Sequence, residues 1–319
     1  MTRRIQLTLL AIAGFIFVLS VPLTSKAQER SPYVISAKAG GINAAMGNVT
    51  LTRGDSVQPV STADELDSGD RLTTGVDGRV EMLLMPGSYL RLAENSEILL
   101  SNASLDSLQL KLIRGIAQIE MTGDDDSRSL VQLATPQTTV QLERKGLYRV
   151  SLPSTSATLV RVRKGRAQVG MTTVKDGKEI VVDQNQAESI SKFDKKSEDA
   201  FDVWNAQRAQ MLADANRRLS RRSLESAYAG FGRSSLGLGR GYNGYWVYDP
   251  FFRSRTFLPY YLGWSSPYGH RYHFGLGFSR YGSNFGVFGP RRRGFGGIGI
   301  SVRPGAHRPV FRSRGGRRH

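Results

Sequence analysis

Reactive side chains are scarce in this sequence, and they are unevenly placed. There is no cysteine, and the four histidines, His270, His273, His307 and His319, all lie near the C-terminal end. Residues 28–229 therefore lack both thiol and imidazole. That excludes a Cys nucleophile, a disulfide framework, thiolate zinc sites and His-based triads from this part of the chain. Carboxylates remain. Asp124, Asp125 and Asp126 are consecutive, whereas a calcium loop spaces its ligands more widely and ends on a bidentate Glu, so they read as a solvated turn. Glu81, Glu94, Glu120 and Glu143 would have to face one cleft to work as an acid–base pair on a polysaccharide. The sequence does not place them relative to one another. His270-Arg271-Tyr272-His273 offers two imidazoles without an evident third ligand. Gly237, Gly239 and Gly241 lack the preceding strand and following helix of a nucleotide-binding turn. The expectation is a chain with no catalytic constellation, no metal and no cofactor.

Charge is the other chemical signal. Residues 230–319 hold 15 Arg, no Lys and a single acid, Asp249, whereas residues 28–229 hold 26 basic and 26 acidic residues. The net charge of +17 is thus almost entirely a property of the C-terminal segment. That segment also contains 20 of the 35 glycines and 20 of the 29 aromatic residues. Arginine pairs bidentately with phosphate or carboxylate, and aromatic rings stack on sugars or bases. Arg291, Arg292, Arg293, Arg312, Arg314, Arg317 and Arg318 are the candidate contacts to a polyanion. Glycine-rich chain is entropically expensive to order, so 230–319 is expected to be a mostly disordered, low-complexity tail, with 242–290 as the part open to local order or stickiness.

The elements that would position these groups are short strands. Gly69-Asp70-Arg71-Leu72-Thr73-Thr74-Gly75 leads to the turn Asp77-Gly78. Arg79 and Glu81 then alternate with Val80 and Met82, and after Gly87-Ser88 the alternation resumes with Tyr89 and Arg91 against Leu90 and Leu92. Period-2 alternation predicts strands with one wet and one buried face, and Asp-Gly is a strong hairpin signal. Similar runs recur from Met46 to Lys192, with turn residues every 8–12 positions or so, as in all-β sandwiches, barrels or short solenoids. Residues 28–45 read as a linker.

This ordered series, G-D-x-[IL]-x-T-G, D-G-x-[AV], G-S and a further strand, resembles the FecR domain. Ala134-Thr135-Pro136 before the Val140 strand, and Lys164-Gly165 with Val169, are similar to that family's later segments. The resemblance covers about residues 46–192. It implies a FecR-like all-β domain, exported from a bacterium and not enzymatic, in which Gly69, Asp70, Gly75, Asp77, Gly78, Gly87, Pro136, Gly146 and Gly165 serve as turns. Where many members place Gly-Thr before an aromatic strand, this chain has Gly146-Leu147-Tyr148.

After the β region, Ser197 reads as an N-cap followed by the acidic Glu198-Asp199. Phe201, Trp204, Leu212 and Leu219 recur at helical spacing, which predicts an amphipathic helix within 197–229 docked on the β domain through this apolar face. The run Phe201-Asp202-Val203-Trp204 to Arg208 resembles the F-D-x-W-x-x-x-R segment that follows the β domain in some exported members. At the other end, Arg3-Arg4, a mostly apolar run from Ile5 to Leu23 and Ser25-Lys26-Ala27 form a secretory signal pattern with cleavage after Ala27. An uncleaved anchor is the alternative. No second stretch is long and apolar enough to span a membrane.

Together these features point to a periplasmic or cell-envelope protein without enzymatic activity. Its cationic aromatic tail would contact an anionic envelope polymer or glycolipid, and another envelope protein is a further partner class. Two alternatives stay open: a nucleic-acid-binding protein using the Arg/Gly tail, and an indirect component of receptor-to-sigma-factor signalling. Fusing residues 1–40 to a reporter that works only in the periplasm should give an active reporter, and an inactive one would remove the export reading.

Overall fold

The computed structural model describes residues 35–36, 38–123, 130–142, 145–185, 188–219, 244–259 and 263–273. In chain order the strands are β1 (Ile35–Ser36), β2 (Ile42–Met46), β3 (Val49–Arg53), β4 (Ser56–Pro59), β5 (Arg71–Thr74), β6 (Arg79–Leu83), β7 (Ser88–Leu92), β8 (Glu97–Asn102) and β9 (Leu108–Met121). They continue with β10 (Val131–Ala134), β11 (Thr139–Leu142), β12 (Gly146–Ser154), β13 (Ala157–Lys164), β14 (Arg166–Val169), β15 (Thr172–Lys175), β16 (Lys178–Asp183) and β17 (Glu188–Lys192). A helix, α1 (Ala200–Arg218), and a hairpin of β18 (Gly244–Asp249) and β19 (Ser254–Pro259) complete the described elements.

Strand β9 organises the rest because it belongs to two sheets. Its N-terminal half pairs with β8 and, in parallel, with β10. Its C-terminal half pairs antiparallel with β7 and β12. One sheet therefore runs β2-β6-β7-β9-β12-β13-β16-β17, and the other β4-β3-β5-β8-β9-β10-β11-β14-β15. The change-over falls at Gly115, whose φ is +83° and where a Cβ would lie 2.2 Å from Ser96 Oγ. The Ser96 hydroxyl accepts the Ile116 N–H there, at 2.9 Å. Val80, Met82, Leu90, Leu92 and Ile119 of the first sheet share one core with Leu51, Leu72, Ile98, Leu100 and Leu110 of the second. The all-β reading thus resolves as two sheets facing one another across a common apolar core.

Alternation in sequence corresponds to alternation in burial only where a sheet face meets water. In the N-terminal half of β9, Leu108, Leu110 and Leu112 are buried while Gln109 and Lys111 are exposed. The C-terminal half, β6 and β7 are buried on both faces from Val80 onward. The wet face expected for Glu81 and Arg91 is therefore dry, since α1, the β18–β19 hairpin and residues 263–273 cover it.

Three boundary expectations change as a result. The linker assigned to 28–45 contains β1, which pairs with β18, and most of β2, which pairs with β6. Within the tail expected to be mostly disordered, the stretch 242–290 left open to local order contributes residues 244–259 and 263–273 to the fold, with Trp246, Phe257, Trp264 and Tyr272 buried. Their aromatic area outweighs the ordering entropy that composition alone suggests. The helix is capped by Asp199 rather than Ser197: its carboxylate accepts Asp202 N–H at 2.9 Å, and the Asp202 side chain accepts Asp199 N–H at 3.3 Å, closing a capping box. The signal segment 1–27, the Asp124–Asp126 loop and Arg291, Arg292, Arg293, Arg312, Arg314, Arg317 and Arg318 lie outside the described residues.

If the β9 change-over depends on this backbone, Gly115→Ala should lose at least about 2 kcal/mol of stability, because it forces a positive φ and a clash with Ser96. Urea unfolding of the variant against the parent chain measures this.

Candidate functional site

The dry face of the first sheet is polar in sequence and ionic in structure. Arg91 on β7 sits between Glu81 on β6 and Glu120 on β9, where register sets Glu81 opposite Arg91 across the β6–β7 pair. Arg91 Nε donates to Glu81 Oε2 at 2.7 Å and Nη1 donates to Glu120 Oε2 at 2.8 Å, with all three side chains 0% exposed. A second cation arrives from the helix, as Arg208 Nη2 donates to Glu81 Oε1 at 2.6 Å. Burial alone would raise the Glu81 carboxyl, but the charges of Arg208 and Arg91 outweigh it and hold the group down to about 2. Burial also acts against the charged form of Arg91, and here Glu81 and Glu120 prevail and keep the guanidinium ionised.

Every covering element places a polar atom on this cluster. From β2, Asn43 Nδ2 donates to Glu81 Oε1 at 2.8 Å and to Arg255 O at 3.0 Å, while Asn43 Oδ1 accepts Arg255 N–H at 2.6 Å. The amide thereby continues strand-like pairing from β2 to β19. In the 263–273 segment, Ser266 Oγ donates to Glu120 Oε1 at 2.7 Å, and Gln118 Nε2 donates to Tyr268 Oη at 2.7 Å. The helix and the hairpin are tied together by Asn216 Nδ2 to Phe257 O at 2.8 Å and Thr256 Oγ1 to Leu212 O at 2.5 Å.

An aromatic lid closes over these bonds. Tyr89 and Trp246 have ring centroids 5.0 Å apart, and Phe257 lies 5.3 Å from Trp264 and 5.5 Å from Tyr272. The lid also accounts for Gly87. It has φ +90°, and a Cβ there would lie 2.5 Å from Thr122 Oγ1 and 3.1 Å from the Phe257 ring. Trp246 and Trp264 pack inward and are not ligand-stacking surfaces.

The remaining predicted turn residues sit at strand junctions. Gly69, at φ +96°, and Asp70 precede β5, and Asp70 is buried with its carboxylate accepting Arg53 Nη2 at 2.6 Å and Asp67 N–H at 2.8 Å. Gly75, Asp77 and Gly78 join β5 to β6, where Asp77 Oδ1 accepts Asn48 N–H at 3.2 Å. Pro136 joins β10 to β11. Gly146 opens β12 beside the Tyr148 ring, and Gly165 turns β13 into β14. On the helix, Phe201, Trp204, Leu212 and Leu219 are all buried. Phe201 and Trp204 stack 5.9 Å apart and pack with Ala93 and, at its margin, Ile116.

A groove of about 300 Å³ opens beside the helix N-terminus, lined by Gln118, Arg149, Arg161, Arg163, Phe193 and Asp202, among others. Arg149 donates to Asp199 at 2.6 Å and to Asp202 at 3.0 Å, Arg163 donates to Glu198 at 2.7 Å, and Arg161 donates to Glu179 at 2.7 Å. Burial would raise the Asp199 carboxyl, yet its bond to Arg149 holds it down to about 2. Arg149 and Arg163 hold the acidic start of the helix against the sheet, whereas the Arg161 pair stays within the sheet.

Asn43 and Ser266 are site residues that the sequence does not single out, and Arg208 stands out in it only as the last residue of the F-D-x-W-x-x-x-R run. A signal for Arg208 was present. It lies four residues after Trp204 and four before Leu212, so it belongs to the buried stripe of the helix. Asn43 and Ser266 reach the site only through long-range contacts.

Residues 70–168 match the family model described as "FecR protein". The matched segment runs from the turn before β5 to β14 and so includes β9, the strand shared by the two sheets. No curated protein matches the chain. Two solved structures, each described as a "putative anti-sigma factor from Parabacteroides distasonis ATCC 8503", share 16% and 15% identity with it, both at a TM-score of 0.35. In both cases the match covers 44% of this chain and 64% of the other, so the chain spans less than two thirds of those proteins' length. Among the described residues no helix is long and apolar enough to cross a membrane.

Removing one member of a buried ion pair strands its partner, so Arg91→Met should destabilise the chain by about 3–5 kcal/mol. Glu81 adds a pH signature. Its carboxyl is depressed from 4.5 to about 2 in the folded chain, so the unfolded chain binds the proton more readily and stability rises with pH. That contribution, on the order of 3 kcal/mol, is complete above about pH 4.5 and is lost as pH falls towards 2. Urea midpoints measured over that window should flatten in Glu81→Gln.

Proposed function

We propose that this chain is a non-enzymatic, exported FecR-domain protein that acts as an interaction or sensing module of the cell envelope. In this reading the Arg/Gly-rich segment after residue 273 binds anionic envelope polymers. The observation that carries it is the partition of charge: residues 274–319 contain ten Arg and no acidic residue, whereas in residues 28–229 positive and negative charges balance. Outside the cytoplasm the accessible polyanions are glycolipid phosphates, acidic polysaccharides and extracellular DNA. Arginine forks suit the phosphate and carboxylate groups of all of them.

The carboxylates argue in the same direction. Glu81 and Glu120 are brought together with Arg91 between them, in the place where a polysaccharide-cleaving pair would need an open cleft for the sugar. Both are sealed from solvent and committed to guanidinium groups, which fits a structural role. The FecR match favours a second reading, in which the domain takes part indirectly in receptor-to-sigma-factor signalling by contacting another envelope protein.

The last described residue, 273, sets where the chain is cut for the test. A chain ending at residue 273 keeps the cap over Arg91, whereas one ending at 229 removes it and should unfold. Full-length protein should be retained on isolated envelope fractions and released steeply as salt rises, the signature of multi-site phosphate neutralisation. The chain ending at 273 should lose retention with its melting temperature unchanged. Equal retention of the two forms removes the polymer-binding reading. Tighter retention on DNA than on envelope at the same salt would favour the nucleic-acid alternative.

A further inference from the structure

The two edges of the first sheet differ. At one edge, β2 is covered through the Asn43–Arg255 pairing to β19. At the other, β17 pairs with β16 on one side only, has no strand on its outer side among the described residues, and is exposed at all five positions, Glu188, Ser189, Ile190, Ser191 and Lys192. Open edges invite strand pairing. On the second sheet, edge strand β4 ends in Pro59, which lacks an N–H to donate, and β17 contains no proline.

The sequence of β17 is self-complementary. When two copies pair antiparallel about a two-fold axis through Ile190, Glu188 stands opposite Lys192 of the second copy, Ser189 opposite Ser191, and Ile190 opposite itself. Each charge pair then occurs twice, as an isologous interface requires. Opposite charges and paired hydroxyls across strands are each stabilising.

The strand's surroundings also match that partner. Lys192 stands opposite Lys178 within the sheet, a like-charge juxtaposition that the second copy's Glu188 would offset. Ile190 stands opposite the buried Ile180, so it shares the core-facing side of the sheet, yet it is itself exposed. Beside it the β14–β15 turn presents Met171 at 97% exposure. The next residue, Thr172, donates its hydroxyl to Glu188, which fixes this turn against the edge.

We propose that β17 is a homodimerisation edge, at which two copies of this chain join their first sheets by antiparallel pairing centred on Ile190. The partner is a second copy of the chain, and the determinants are Glu188, Ile190 and Lys192.

Sedimentation of the full chain across a concentration series tests it through charge reversal. The parent chain should show a reversible monomer–dimer equilibrium. Glu188→Lys and Lys192→Glu each replace two attractive pairs by two repulsive ones and should weaken the dimer by about tenfold or more. The double swap E188K/K192E restores complementarity in reversed order and should recover the parent affinity. Ile190→Glu places two carboxylates on the axis and should abolish dimerisation, with melting temperature confirming that the monomer remains folded. A parent chain that stays monomeric throughout the micromolar range overturns the proposal. So does a dimer indifferent to both single reversals, or one that the double swap fails to restore.

Discussion

Arg91 carries its charge in a place that water does not reach, and the covering architecture is arranged around keeping it there. Transferring a guanidinium from water to a protein interior is strongly unfavourable unless carboxylates and hydrogen bonds replace its hydration. Glu81 and Glu120 supply the counter-charge. They carry one more negative charge than Arg91 can balance, and Arg208 from the helix provides it. Two arginines and two carboxylates thus form a neutral cluster, with Asn43 and Ser266 occupying remaining acceptor positions. Opening the cover would return these groups to water singly, but partial loss of the cover would leave a buried charge unmatched. The cluster therefore couples helix, hairpin and sheet into one cooperative unit.

The same cluster determines what may cover the sheet. An apolar face accepts any apolar partner of suitable volume, whereas this face accepts only an element that delivers a cation near Glu81 and a hydroxyl near Glu120. Arg149 and Arg163 perform the corresponding selection at the helix N-terminus, where acidic residues are already favoured by the helix dipole. Two charge-matched contacts fix the position and direction of α1, and the rigid helix then carries Arg208 to its site.

For function, the consequence is that the central face of the FecR segment is occupied by the chain itself. The proposed interactions therefore use other parts of the chain, the open β17 edge and the basic sequence after residue 273.

The local periodicities were legible in the sequence. Alternation from Arg79 to Leu92 named β6 and β7, Asp77-Gly78 named the turn before β6, and the 3–4-residue spacing from Phe201 to Leu219 named the helix and its apolar stripe. These succeed because strand and helix periods are properties of neighbouring residues. The sequence also separated a charge-balanced region from a basic one, since composition is additive along the chain. Only the tertiary structure decided that Glu81, Arg91 and Glu120 are buried, because a charged residue in an alternating strand reads as solvent-facing until something is found to cover it. The cover comes from residues more than a hundred positions away, in a segment whose glycine and arginine content points locally to disorder. Its folding depends on tryptophan, tyrosine and phenylalanine rings that find their surface only once the first sheet exists. Burial of a charge is settled by what stands on the other side of it, and that is a fact of three-dimensional packing.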